Sequence, residues 1–98
     1  MTIAVYQKLD LRRISATFKN AAGSAADPSA VTFKYTKPSG TVTTLVYLTD
    51  GALVKDSTGN YHVDLSLTEP GRWFYQWKGT GTVEEVEEGE FEVFSGAF

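Results

Sequence analysis

Apolar and polar residues alternate with a period of two through most of this chain, the pattern of strands that bury one face. Ile14, Ala16 and Phe18 alternate with Ser15, Thr17 and Lys19, and Val31, Phe33 and Tyr35 alternate with Thr32, Lys34 and Thr36. The densest stretch runs from Asp56 to Gly81. There Tyr61, Val63, Leu65 and Leu67 recur every second residue, Glu69-Pro70-Gly71 breaks the run, and Trp73, Tyr75 and Trp77 resume it. This pattern reads as a hairpin of two strands with one buried face. Aromatic side chains bury the most apolar area per residue, so Trp73, Tyr75 and Trp77 against Tyr61, Val63 and Leu65 predict the densest part of the core. The same parity turns Phe74 outward, beside Gln76 and Lys78.

The breaks between these runs divide the rest of the chain. Met1 to Lys8 has no clear period and reads as an arm. Asn20 to Ser29 is a loop, because its alanines are too few for a helix and are interrupted by Gly23 and Pro28. Lys37-Pro38-Ser39-Gly40 places Pro second and Gly fourth in a turn, predicting a reversal into a strand over Thr41 to Leu48. Thr49-Asp50-Gly51 is a further reversal, since Asp-Gly tolerates the positive φ of tight turns. A short strand over Ala52 to Lys55, a turn over Asp56 to Gly59 and a last strand from about Glu88 to Phe94 complete the pattern. About seven strands with no helical period predict an all-β fold, an antiparallel immunoglobulin-like β-sandwich over residues 10–94. Residues 1–9 form an arm and 95–98 a tail in this reading, and a small barrel is the alternative. Gly59-Asn60-Tyr61 invites comparison with a tyrosine corner.

At 98 residues the chain suffices for one core. Thirteen aromatics and 21% charged residues exclude a disordered class. With no Cys, neither a disulfide framework nor a thiolate metal site is available. The N-terminal sequence lacks the basic and apolar regions of a signal peptide, and no apolar run approaches a membrane span, so a soluble protein without membrane partners is expected. Charge is unevenly placed: nine Lys and Arg and six acids precede Glu84, and six Glu with no base follow from it. That distribution argues against nucleic acid, which calls for a basic patch, and permits docking onto a basic protein surface.

Catalytic chemistry finds little purchase. His62, Asp64 and Ser66 share one strand face, but i and i+2 neighbours lie about 6.6 to 7 Å apart, against the roughly 3 Å of a nucleophile-base hydrogen bond. One His, no Cys, and a DSTGN turn without the spaced acids of a calcium loop imply no metal. Gly79-Thr80-Gly81 is a lone G-x-G with no helix after it, so a strand-end turn accounts for it and no cofactor is implied. A Trp73-Tyr75-Trp77 stacking platform for sugars would remove the largest apolar area from a small core, which favours burial.

From Leu11 to Val93 the segments ATFKN, an Asp27-Pro28 loop, VTFKYTKPSGTVTTLVY, VKDSTGNYHVDL, EPGRWFYQWKGTG and EGEFEV resemble small immunoglobulin-like proteins encoded among the structural genes of tailed bacteriophages and prophages. The resemblance implies a non-enzymatic virion structural protein, a capsid decoration or head and neck accessory, made in the host cytoplasm and located in the virion. Its implied partners are major capsid, neck or tail subunits and copies of itself, with no small-molecule substrate. Gly59, Tyr61, Pro70, Gly71, Trp73 and Trp77 are fold-making positions of that pattern. The candidate contact residues are Ile3, Val5 and Tyr6 of the arm, Phe74, Phe94 and Phe98 as apolar anchors, and Glu84, Glu85, Glu87 and Glu88 as an acidic segment. A carbohydrate- or cell-surface-binding module, working through exposed aromatics and loops, is the alternative class.

Overall fold

Each run of period-two alternation becomes a strand. The computed structural model describes residues 4–7 and 11–94, with backbone alone over 4–7 and at 94. Eight strands form among the described residues: β1 (Ala4–Gln7), β2 (Leu11–Thr17), β3 (Ala30–Thr36), β4 (Val42–Val46), β5 (Leu53–Ser57), β6 (Asn60–Ser66), β7 (Gly71–Thr80) and β8 (Glu85–Phe94). They assemble into a five-stranded sheet ordered β1-β8-β7-β3-β4 and a three-stranded sheet ordered β2-β6-β5. One apolar cluster fills the space between the sheets. This is an all-β, immunoglobulin-like sandwich in one domain.

The Tyr61 and Trp73 strands are not a hairpin. β6 pairs with β2 and β5, whereas β7 pairs with β3 and β8. Glu69-Pro70-Gly71 carries the chain from one sheet to the other, so the two apolar faces meet across the sandwich. Period two records only that one face of each strand is buried, and an arch between sheets buries the same faces as a hairpin within one. The indole Nε1 of Trp73 donates to the Glu69 carbonyl at 3.0 Å and fixes the arch. The Thr49-Asp50-Gly51 reversal likewise crosses between sheets, with the Val46 N–H donating to Asp50 Oδ2 at 2.8 Å. Lys37 to Gly40 does make the expected hairpin turn, closed by Gly40 N–H to the Lys37 carbonyl at 2.8 Å.

The segment expected as an arm contributes β1, which runs parallel to β8 from Ala4 opposite Phe91 to Gln7 opposite Phe94. Extended chain is ordered by pairing with an open edge, and β8 offers one within the same chain. Hence the count of eight strands and one parallel pair in an otherwise antiparallel fold. β8 also begins earlier than its composition implied. Glutamate ranks low in strands, but continuous pairing with β7 from Gly71 opposite Val93 to Gly79 opposite Glu85 overrides that preference.

Trp73 and Trp77 are fully buried, and Tyr75 is half-buried at the margin of the core. Trp73 stacks between Tyr35 and Phe91 at centroid distances of 6.1 and 5.8 Å, and Trp77 meets Phe33 at 4.7 Å. The loop before β3 is held by Asp27. Its carboxylate accepts from Lys55 Nζ at 2.7 Å, Gly59 N–H at 2.8 Å and the buried Tyr61 hydroxyl at 3.0 Å, and its carbonyl accepts from Thr82 Oγ1 at 3.0 Å. Tyr61 is therefore not a tyrosine corner, whose hydroxyl binds backbone. Gly59 sits at φ 78°, and a Cβ there would meet Phe18 O at 2.7 Å and Ala26 N at 2.9 Å, so the approach of loop to turn requires glycine.

Candidate functional site

Alternation along β3, β7 and β8 gives the outer face of the larger sheet a definite set of side chains. Thr32, Lys34 and Thr36 come from β3, Phe74, Gln76 and Lys78 from β7, and Val86, Glu88 and Glu90 from β8. The ladders place them in three rows: Thr36–Phe74–Glu90, Lys34–Gln76–Glu88 and Thr32–Lys78–Val86. β4 continues the rows with Val42, Thr44 and Val46. Phe74 is 49% exposed, and Val42, Val46 and Val86 are exposed with it. The rows set these four apolar residues apart among polar ones, so Phe74 stands as a single exposed ring and not as part of a continuous apolar patch.

Phe74 stands between two shallow hollows. The one towards β3, about 160 Å³, is walled by Lys34, Thr36, Gln76 and Glu88, and the one towards β8, about 230 Å³, by Glu88 and Glu90. Tyr75 and Gly89 point inward by parity, so they offer only backbone to this face and form the floor. Gly89 lies under the Tyr75 side chain, where a Cβ would overlap the phenol. The charges are sorted by strand, with Lys34 on one side of Phe74 and Glu88 and Glu90 on the other. Arg72 lies 3.9 Å from Glu90, a weak pairing on an exposed surface.

The outer face of the smaller sheet carries a different cluster. His62 is buried rather than solvated, at 8% exposure, and its Nδ1 lies 2.8 Å from both carboxylate oxygens of Asp56 on the neighbouring strand. Its Nε2 is 3.9 Å from Asp64, beyond hydrogen-bond reach, as the i to i+2 spacing required. Asp64 is instead paired bidentately with Arg13, at 2.9 and 3.1 Å. The Arg13 hydrogen bond holds the Asp64 carboxyl below its ordinary range. Ser66 makes no hydrogen bond with this group, and no nucleophile is aligned with His62 among the described residues. The arrangement stabilises strand pairing.

The acidic segment is divided by the pleat. Glu85 and Glu87 share the inward parity of Gly79 and Trp77 yet remain exposed, because the smaller sheet does not cover this end of β8. With Ser15, Ala16, Thr17 and Lys19 they line a groove of about 410 Å³ between the sheets. Glu88 lies on the opposite, outer face, and Glu84 precedes β8. The four glutamates thus do not form one patch. Among the other expected contact residues, Val5 and Tyr6 lie in β1 opposite Glu92 and Val93, and Phe94 ends β8 opposite Gln7. Ile3 and Phe98 fall outside the described residues. Lys34, Gln76 and Gly89 were not singled out from sequence; parity alone turns Lys34 and Gln76 outward, but only the register puts them beside Phe74 and Glu88.

Comparison with known proteins adds the fold and nothing finer. No family model matches the chain, and no curated protein matches it in sequence. Among solved structures, the filamin domain of Lin-41 superposes with a TM-score of 0.72 over 98% of this chain and 88% of that one, at 12% identity. That likeness shows an immunoglobulin-like sandwich fold. No group of three or more His, Cys, Asp or Glu among the described residues is arranged to hold a metal, and no helix there is long and apolar enough to cross a membrane.

Proposed function

We propose that this chain is a non-enzymatic structural protein that binds neighbouring protein subunits, in the setting its sequence resembles: an accessory or decoration protein of a tailed-phage virion. The observation that carries the reading is the outer face of the five-stranded sheet, where Phe74, Val42, Val46 and Val86 stand exposed among sorted charges. Interfaces concentrate their binding energy in aromatic anchors with complementary charges around them. Trp73 and Trp77 are buried and offer no exposed platform, which leaves the sugar-binding alternative Phe74 and the turn loops.

Co-sedimentation tests it. The tagged chain is expressed during growth of the phage, or induction of the prophage, that carries its gene, and particles are pelleted through a gradient. Wild-type chain is expected with the particles, at reduced occupancy for Phe74→Asp and for Glu84, Glu85, Glu87 and Glu88 changed together to Gln. A folded chain that never pellets with particles, and is captured on a glycan array in a Phe74-dependent way, overturns the virion reading in favour of a surface-sugar module.

A further inference from the structure

We propose that the open edge of β8, from Glu85 to Glu90, takes up an extended basic segment of a partner protein as an added strand. This rests on reading the chain as one that binds neighbouring protein subunits, and it adds a second surface and the chemistry of its occupant.

Strand addition needs backbone that no other strand uses. β7 pairs with β8 from Glu85 to Val93, which leaves alternate N–H and C=O groups of β8 turned to the opposite side. β1 takes up that side only between Phe91 and Phe94, so the same edge already accepts a strand over part of its length. From Glu85 to Glu90 no described residue pairs with it, and Glu85 to Glu88 are exposed. There is also room. β2, the edge strand of the smaller sheet, faces this stretch across the groove of about 410 Å³ that Ser15, Ala16, Thr17 and Lys19 share with Glu85 and Glu87. A strand laid there continues the line of β1 and closes the gap between the sheets.

Charge names the occupant. A strand beside β8 has cross-strand neighbours on both faces, Glu85 and Glu87 on the inner one and Glu88 and Glu90 on the outer one. Glu85, Glu87 and Glu88 make no ion pair among the described residues, and Glu90 has only its weak contact with Arg72. Lys19 is the one base lining the groove. Lysines or arginines of an incoming segment therefore meet carboxylates, whereas an acidic segment is repelled. The same charges exclude a second β8, since pairing this edge with itself sets glutamate against glutamate. The remaining edge strands lack this selectivity: β1 and β4 carry no charge, β5 carries Lys55 and Asp56, and β2 carries Arg12 and Arg13. Among the described strands, only β8 joins unpaired backbone to an excess of acid.

Titration of the isotope-labelled chain with end-blocked octapeptides, followed by backbone amide NMR shifts, tests this and shows where each peptide lies. The probe alternates Lys and Thr. One control alternates Glu and Thr, and a second is the Lys-Thr peptide N-methylated at every residue, which keeps the charge and removes the backbone donors. The Lys-Thr peptide should saturate with a Kd below about 1 mM, shifting amides from Glu85 to Glu90 and the facing Ser15 to Lys19 while Val42 to Val46 stay unmoved. Both controls should bind at least about tenfold more weakly, and Glu85→Gln with Glu87→Gln should weaken the Lys-Thr peptide at least about threefold. No saturable shift up to about 2 mM, or shifts centred on another edge, overturns the proposal. So does an N-methylated peptide that binds as well as its parent, because charge alone then accounts for binding. The two readings separate. A chain that takes up the Lys-Thr peptide at β8 but never pellets with particles keeps the open edge as a binding site and removes the virion role. A chain that pellets in a Phe74-dependent way and leaves the peptide unbound keeps the protein-binding face and removes the added strand.

Discussion

Replacing Trp73 with Ala should remove most of the stability of this domain. The side chain is 1% exposed, stacked between Tyr35 and Phe91, and its Nε1 donates to the Glu69 carbonyl at the arch between the sheets. An indole buries about 150 to 250 Å², which at about 25 cal/mol per Å² is roughly 4 to 6 kcal/mol of transfer free energy. Observed costs for Trp or Phe to Ala in cores are about 3 to 5 kcal/mol, and the freed, part-buried Glu69 carbonyl adds about 1 kcal/mol. A domain of this length has about 5 to 15 kcal/mol in total. Guanidinium melts followed by the fluorescence of Trp77, fully buried and the one indole left in the variant, read the effect directly. Trp73→Phe keeps a ring between Tyr35 and Phe91 and loses the hydrogen bond, so it should fall roughly midway. A Trp73→Ala midpoint near that of wild type, at an unchanged denaturant slope, would refute the placement of this residue at the centre of the core.

Two further expectations concern the Asp27 junction. The Lys55 hydrogen bond, then the Gly59 N–H, hold the Asp27 carboxyl below its ordinary 3.8, so its stabilisation is complete above that pH and is lost as pH falls through the lowered value. Burial, then the Asp27 hydrogen bond, raise the Tyr61 phenol above its ordinary 10.0, so the unfolded chain ionises first and stability falls as pH rises beyond about 10. Thermal melts from pH 2 to 12 should therefore show a shallower acid limb for Asp27→Asn and a shallower alkaline limb for Tyr61→Phe, with unchanged limbs counting against the junction. Gly59→Ala should cost more than the roughly 1 to 2 kcal/mol of a left-handed non-glycine residue, because its Cβ meets two backbone atoms. Gly23→Ala, at φ 84° in open space, should cost only that conformational part; equal losses at the two positions would remove the steric term.

What the sequence determined by itself was local. Parity chose which residues are buried, so Ile14, Phe18, Phe33, Trp73, Trp77, Phe91 and Val93 all lie in the core, and Phe74 lies outside it. Pro38 and Gly40 placed a hairpin turn where one forms. Pairing was not legible, because the hydrogen bonds of a strand are made by backbone that is the same for every residue. Period two could not distinguish the β6–β7 arch from a hairpin, and a segment without alternation gave no sign that β1 would close the edge of β8. The same limit governed the candidate surface. Phe74 and the glutamates stood out by type, but whether Glu88 faces Lys34 across β7, while Glu85 and Glu87 turn to the other side, depends on the register of three strands. Only the tertiary structure sets that register, through the summed burial of both faces against the smaller sheet.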